Sequence, residues 1–145
     1  MFTKICVPVD GSEGAWKALA AAKTLGEKYG SELLVLTISG PYSSLIMMQV
    51  AVNEQTITRT KEELKKARDT ILGQAEERLA GYSGNVEYVE TMGNPAQTIM
   101  KRAEEAGCDA IVMGSRGLSG VEEFLLGSVS EKVAQYAKVP VFIIK

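Results

Sequence analysis

A short apolar run leads directly into a glycine-rich loop at Ala110-Ile111-Val112-Met113-Gly114-Ser115-Arg116-Gly117. The apolar part has the length and the β-branched content of a buried strand. After nine intervening residues comes Gly127, followed by Ser128-Val129-Ser130-Glu131, which has the spacing of a capping box and predicts a helix to about Ala137. A strand, a loop and a helix in this order indicate an α/β fold.

The same alternation extends along the chain in both directions. Apolar runs predict five strands, at Ile5–Val9, Leu33–Ile38, Val86–Thr91, Ala110–Met113 and Val141–Ile144. Apolar residues at helical spacing predict helices between them, including a long one over about 54–80. Such alternation favours a three-layer α/β fold, an open, mainly parallel sheet with helices on both faces. We expect one domain over residues 1–145.

Capping residues mark where the predicted helices begin. Asp10 is an N-cap candidate because a glutamate follows three residues later. Asn94 is a second candidate, with Pro95 at the first helical position. Residues 41–55 show no clear period, and one or two helical turns are possible around 121–125.

Composition excludes several classes of function. The chain has 145 residues, a net charge of −2 and no histidine, so His-based zinc sites and Ser-His triads are excluded. The charge balance is untypical of nucleic-acid binding. Cys6 and Cys108 lie in or beside apolar runs, which favours buried free thiols and a cytoplasmic protein. No signal peptide is evident, and no apolar run approaches the roughly 18 residues that span a bilayer.

The glycine-rich segment suits a phosphate group. In open parallel sheets ligands bind beyond the carboxyl ends of the strands, here near Asp10, Ile38 and Met113. Glycines let backbone amides approach an anion, and the helix that begins near Ser128 adds unpaired N–H groups and a favourable dipole. Ser130 adds a hydroxyl donor and Arg116 a positive charge, which completes a candidate anion site.

Simpler interpretations remain open from the residues alone. Ser128 and Asp10 can each act only as helix caps. Gly127 can be only a turn residue, and Arg116 only a solvated charge. The segment is neither a Walker A loop nor a dinucleotide fingerprint, because GxxxxGK[ST] and GxGxxG are both absent.

Taken together, these segments resemble the ATP-binding branch of the universal stress protein family. The pattern G-x2-G-x9-G-S begins at Gly114, and the segments 5–12, 107–114 and 139–144 resemble the family's opening, fourth and closing strands. The resemblance covers the whole chain. It implies a Rossmann-like, adenine nucleotide alpha hydrolase-like fold with strand order 3-2-1-4-5, and a homodimer through the C-terminal strand Val141–Ile144.

The resemblance also implies a ligand and a set of contacts. The ligand is ATP or another adenine nucleotide, with Mg²⁺ or Mn²⁺ held mainly by the phosphates. The implied binding residues are Pro8, Val9, Asp10, Ile38, Met113, Gly114, Arg116, Gly117, Gly127, Ser128, Val129 and Ser130. No residue is assigned a catalytic or metal-ligating role, and neither nucleic acid nor a membrane is expected as a partner.

Four functions follow as hypotheses. The first is a nucleotide-binding regulatory protein of the stress response with slow or no hydrolysis. The second is a slow ATPase, and the third a dimeric interaction module that binds no nucleotide. The fourth is a flavodoxin-like FMN protein, which the loop after the first strand disfavours because Asp10-Gly11-Ser12 lacks a Ser/Thr-rich run.

Overall fold

The computed structural model describes residues 1–40, 54–117 and 125–145. The interpretations of 41–53 and 121–124 therefore lie outside the described residues. The elements in chain order are β1 Lys4–Pro8, α1 Glu13–Tyr29, β2 Glu32–Ser39, α2 Glu54–Arg78, β3 Val86–Met92, α3 Pro95–Glu105, β4 Ala110–Gly114, α4 Ser128–Tyr136 and β5 Val141–Ile144. Each predicted strand is present, with its ends within one residue of the prediction.

The strands form one parallel sheet in the order β3-β2-β1-β4-β5. The predicted fold class and strand order are confirmed. The more polar strand, β3, lies at one edge of the sheet. The chain passes from β1 to β2 and β3 on one side, then returns to β4 on the other, so the strand order reverses between β1 and β4.

Apolar side chains cover both faces of the sheet. On one face Ile5, Val7 and Val35 pack with residues of α1 and α2. On the other, Leu34, Leu36 and their neighbours pack with residues of α3 and α4. Burial on both faces explains why the strands read as continuous apolar runs. No helix among the described residues is long and apolar enough to cross a membrane.

Two predicted N-caps are wrong. The cap of α1 is Ser12, whose Oγ accepts a hydrogen bond from the Ala15 amide at 3.2 Å, whereas Asp10 Oδ1 accepts from the Ser12 amide at 2.9 Å within the preceding turn. The cap of α4 is Gly127, so Ser128 is already helical and forms no capping box. In both places the backbone turn, which residue type alone does not fix, decides which residue caps. The Asn94 cap is confirmed.

The buried stripe of α2 contains an unexpected charge. Ala75 is buried in the core under this helix, Ile71 packs against that core, and Leu64 is partly buried on the same stripe. Arg68 lies on the same stripe, with a side chain only 12% exposed. Helical periodicity is judged from apolar residues, so the pattern did not predict a buried arginine here.

Candidate functional site

A cavity of about 320 Å³ opens at the carboxyl edge of the sheet, where β1, β2 and β4 end and α3 and α4 begin. Its position is the one expected for open parallel sheets, beside the reversal of strand order. Its size lies in the range of small-molecule sites, roughly 300–1,000 Å³. All twelve residues that the sequence analysis singled out line it: Pro8, Val9, Asp10, Ile38, Met113, Gly114, Arg116, Gly117, Gly127, Ser128, Val129 and Ser130.

Five further lining residues were missed by sequence reasoning: Ser12, Ala15, Leu36, Pro95 and Ile99. The sequence did contain a signal for the last three of these. Leu36 lies two residues before Ile38 and shares its face of β2. Pro95 and Ile99 lie one turn apart on α3, which begins where β3 ends, and parallel strands bring that end to the same edge.

One wall of the cavity is apolar. Leu36, Ile99 and Met113 belong to the core between the sheet and α3 and α4, and Ile38 and Val129 pack against that core. The cavity therefore continues this core beyond the strand ends. Its apolar wall suits a flat hydrophobic group such as an aromatic ring.

The backbone of Ile38 faces the gap left by the end of β1. The ladder between β1 and β2 stops at the pair Pro8 and Leu36, and Leu36 O accepts one last hydrogen bond from the Val9 amide at 2.8 Å. In a strand, alternate residues direct their N–H and C=O groups to the same side. Ile38 thus directs its backbone groups to the β1 side, beyond the last ladder pair, where they can recognise the polar edge of a ring.

The cavity also contains the N-terminus of α4. The first turns of α1 and α3 are capped by the side chains of Ser12 and Asn94, whereas Gly127 offers no side chain and α4 has no side-chain cap. Gly127 and the first three residues of α4 all line the cavity. Because the first N–H groups of a helix have no intrahelical partner and carry its positive dipole end, this end suits an anion.

The loop after β4 is fixed to this helix end by hydrogen bonds. Ser115 O accepts from the Gly127 amide and from Ser130 Oγ, both at 2.7 Å. Ser130 Oγ also lies 3.0 Å from Gly127 O, within hydrogen-bond distance. The Ser130 hydroxyl, expected to meet a ligand, thus donates within the protein and fixes the shape of the anion end.

Glycines permit close backbone contacts around the cavity. A β-carbon at Gly114 would lie 2.8 Å from the carbonyl carbon of Gly14, so the end of β4 touches the first turn of α1. A β-carbon at Gly117 would lie 2.9 Å from Asp10 Oδ2. The loop after β4 and the turn after β1 therefore form one continuous polar wall.

The charged groups of this wall are few. Asp10 is the one acidic residue among the described residues that line the cavity, and Arg116 is the one basic residue there. The Asp10 carboxylate orders its own turn through Oδ1, and Oδ2 lies on the Gly117 side. In the part of the chain that the structure describes, no group of three His, Cys, Asp or Glu side chains could hold a metal ion.

Comparisons with known proteins agree with this geometry. A family model described as "Universal stress protein family" matches residues 1–145. The chain is 38% identical to universal stress protein YxiE of Bacillus subtilis (strain 168) over 148 aligned positions, which cover 100% of both chains.

Solved structures share the whole fold. The structure of MJ0577, a universal stress protein of Methanocaldococcus jannaschii, is 30% identical with a TM-score of 0.86 and covers 100% of this chain and 96% of that one. A universal stress protein from Archaeoglobus fulgidus in complex with dAMP has a TM-score of 0.66 at 23% identity, over 100% of both chains. The second likeness shows the fold alone.

Proposed function

Because this chain belongs to the universal stress protein family, we propose that it is a single-domain nucleotide-binding protein that holds ATP in the cavity at the carboxyl edge of the sheet. The apolar wall of the cavity borders a space that we call the apolar slot. The observation that carries the proposal is that this slot and a helix N-terminus without a side-chain cap lie in one cavity of about 320 Å³. An adenine nucleotide has the same division, an aromatic ring at one end and phosphates at the other.

The base end is assigned to the apolar wall. Adenine stacks in the slot beside Ile99 and Met113, and the backbone of Ile38 meets its polar edge. Pro8 and Val9 close the slot from the β1 side. Discrimination of adenine from guanine then depends on the backbone N–H and C=O groups of Ile38. The sheet fixes the positions of these groups.

The ribose and phosphates extend toward α4. Asp10 lies at the ribose, and its carboxylate can accept from the sugar hydroxyls. The amides of Ser128 and Val129 bind the phosphates, with Arg116 contributing charge. Mg²⁺ or Mn²⁺ accompanies the triphosphate and is held mainly by phosphate oxygens, as Mg²⁺ usually is at nucleotide sites.

ATP is held rather than turned over. Phosphoryl transfer requires a group that orients the attacking water, and the chain contains no histidine. Asp10, the acidic residue on the described cavity wall, already accepts from the Ser12 amide. We therefore expect a regulatory role in the stress response in which the bound nucleotide is the signal. The buried free thiols of Cys6 and Cys108 suit a cytoplasmic protein.

The test is to denature freshly purified protein and identify any released nucleotide by chromatography and mass, followed by calorimetry of nucleotide-free protein with Mg-ATP. Near one ATP per chain, or binding with one-to-one stoichiometry, supports the proposal. No released nucleotide together with a flat titration would reject it and favour the interaction module.

Association of two copies along β5 is part of the proposal. β5 is an edge strand, and its four residues, Val141–Ile144, are all apolar and only partly buried. Pairing with a second copy would cover this edge and remove its unpaired backbone groups from water. Sedimentation at several protein concentrations measures this association. A protein that stays monomeric at every concentration would reject the proposed dimer.

A further inference from the structure

Arg68 is a charged residue in the buried stripe of α2 and is bonded to the end of β2. Its Nη1 donates to Ser39 Oγ at 2.7 Å. Its Nε lies 3.7 Å from Glu90 Oε2, which is an ion-pair distance but too long for a hydrogen bond. Among the described residues Nε has no hydrogen-bond partner. The guanidinium is therefore only partly satisfied where it is buried.

Packing alone does not explain an arginine at this position. The neighbouring stripe residues Leu64 and Ile71 are apolar, and an apolar side chain would continue the stripe without burying a charge. Replacing a buried ion pair by apolar residues of similar size is often neutral or stabilising. The position thus favours a role for the bond to Ser39 beyond stability.

Ser39 connects the two sides of the apolar slot. Its carbonyl accepts a hydrogen bond from the Gly93 amide at 2.9 Å, while its hydroxyl accepts from Arg68. Ser39 directly follows Ile38, and Gly93 lies two residues before Pro95. Both Ile38 and Pro95 line the cavity. The Ser39 carbonyl thus continues the ladder between β2 and β3 into the turn before α3, and the bond from Arg68 fixes the side chain of this last residue of β2.

We infer that Arg68 is a positioning residue for the base end of the cavity and acts through Ser39. This inference rests on the proposed function and deepens it. It makes recognition of the base by the Ile38 backbone depend on a side chain from the opposite face of the sheet. Arg68 itself lies outside the residues that line the cavity. Its effect is on the backbone of Ile38 and on the turn at Gly93.

The experiment compares Arg68→Met with Arg59→Met, which removes the same charge from the same helix. The Arg59 side chain is 81% exposed and pairs with Glu63 across one turn. Binding of adenosine, Mg-ATP and inorganic tripolyphosphate is measured for each protein. Arg68→Met is expected to lower the affinity for adenosine and the affinity for ATP by the same factor. That factor is roughly fivefold to tenfold, which corresponds to the loss of about one hydrogen bond. The affinity of Arg68→Met for tripolyphosphate is expected to stay at the wild-type value. Arg59→Met is expected to leave the affinities for all three ligands unchanged.

A second readout needs no ligand. The Gly93 amide is expected to exchange its hydrogen about tenfold faster in ligand-free Arg68→Met, because its acceptor is less well fixed. The thermal midpoint is expected to fall only modestly, because Glu90, which is 35% exposed, loses its ion-pair partner. A role in stability alone would instead weaken the binding of all three ligands together.

Ser39→Ala keeps the inference testable if Arg68→Met does not fold, since it removes only the hydroxyl. It is expected to reproduce the loss of adenosine affinity, and the double variant to be no worse than either single one. Unchanged adenosine affinity in a folded Arg68→Met protein, or an unchanged Gly93 exchange rate, would overturn the role of Arg68 alone. Wild-type protein that binds neither adenosine nor ATP would overturn the proposed function and this role with it.

Discussion

A β-carbon at Gly117 would lie 2.9 Å from Asp10 Oδ2, so the loop after β4 and the turn after β1 are in direct contact. The backbone at Gly117 lies outside the left-handed region, so alanine is acceptable there in conformation. The constraint is one of space only. A methyl group at this position would displace the carboxylate that we assign to the ribose.

Gly117→Ala is therefore expected to weaken Mg-ATP binding by about tenfold, because a charge-assisted contact is lost. Its free energy of unfolding is expected to change by less than about 0.5 kcal/mol, since the Asp10 side chain can move aside. Calorimetry with Mg-ATP and chemical denaturation measure the two quantities.

The matched control is Gly73→Ala. Gly73 lies within α2, and a β-carbon there would meet nothing within 4 Å. Alanine is favoured over glycine inside a helix by roughly 0.5–1 kcal/mol, so this variant is expected to be more stable with unchanged ATP affinity. Equal ATP affinity of the two variants would argue against the assignment of Asp10 and Gly117 to the site.

The Ser130 hydroxyl provides a second test, at the anion end. Ser130→Ala removes the bond to Ser115 O and is expected to destabilise the protein by about 1 kcal/mol. The Gly127 turn then loses one of its supports, so ATP is expected to bind several-fold more weakly while adenosine binds as before. Isothermal titration with both ligands measures the difference, and a parallel loss for adenosine would show that the effect reaches the whole cavity.

Sequence reasoning predicted the strands because their pattern extends over many residues, and the family resemblance implied their order. The twelve predicted site residues line one cavity, and their role in binding stays a prediction. Continuous apolar runs predicted the parallel strands, and the carboxyl-edge rule brought Asp10, Ile38 and Gly114 together. The caps were mistaken because Asp10 and Ser12, like Gly127 and Ser128, are all acceptable cap residues within one or two positions of each other. Arg68 was missed because nothing local distinguishes a buried arginine from an exposed one.

The edge strand leads to a third prediction. Pro140 O accepts a hydrogen bond from the Ile111 amide of β4, and Ile144 O accepts one from the Ser115 amide just after β4. Since backbone groups alternate along a strand, Ile143 directs its N–H outward. Proline at an outward-facing position of an edge strand removes a donor without breaking the ladder inside the sheet. Ile143→Pro is expected to shift the proposed dimer to monomer in sedimentation experiments.

Ile143→Ala is the control, because it shortens the side chain and keeps the N–H group. We expect this variant to sediment as a dimer. If Ile143→Pro associates as tightly as the wild type while remaining folded, the two copies do not pair through this backbone edge.

The fourth prediction concerns pH and the carboxylate that joins the start of β1 to β4. Asp109 accepts hydrogen bonds from the Thr3 amide at 2.9 Å and the Lys4 amide at 3.3 Å. Desolvation acts to raise the pKa of this carboxyl, but hydrogen bonds from the two amides and the Thr3 hydroxyl, together with the positive N-terminus, outweigh it and hold the pKa below its ordinary value. A lowered pKa in the folded state means that the stabilisation is present above the unfolded pKa, about 4, and is lost as the pH falls through the folded pKa.

Asp109→Asn leaves one acceptor oxygen for two amides, so at pH 7 it is expected to lower the free energy of unfolding by about 1 kcal/mol. The gap to the wild type is expected to be smaller at pH 2.5 than at pH 7, because the wild-type carboxyl takes up its proton as the pH falls through its folded pKa. Urea denaturation at a series of pH values measures it. Asp69→Asn, on the exposed face of α2, makes the same chemical change and is expected to stay within about 0.5 kcal/mol of the wild type throughout. A gap for Asp109→Asn that is the same at both pH values would mean that the amide contacts do not depend on the charge of the carboxylate.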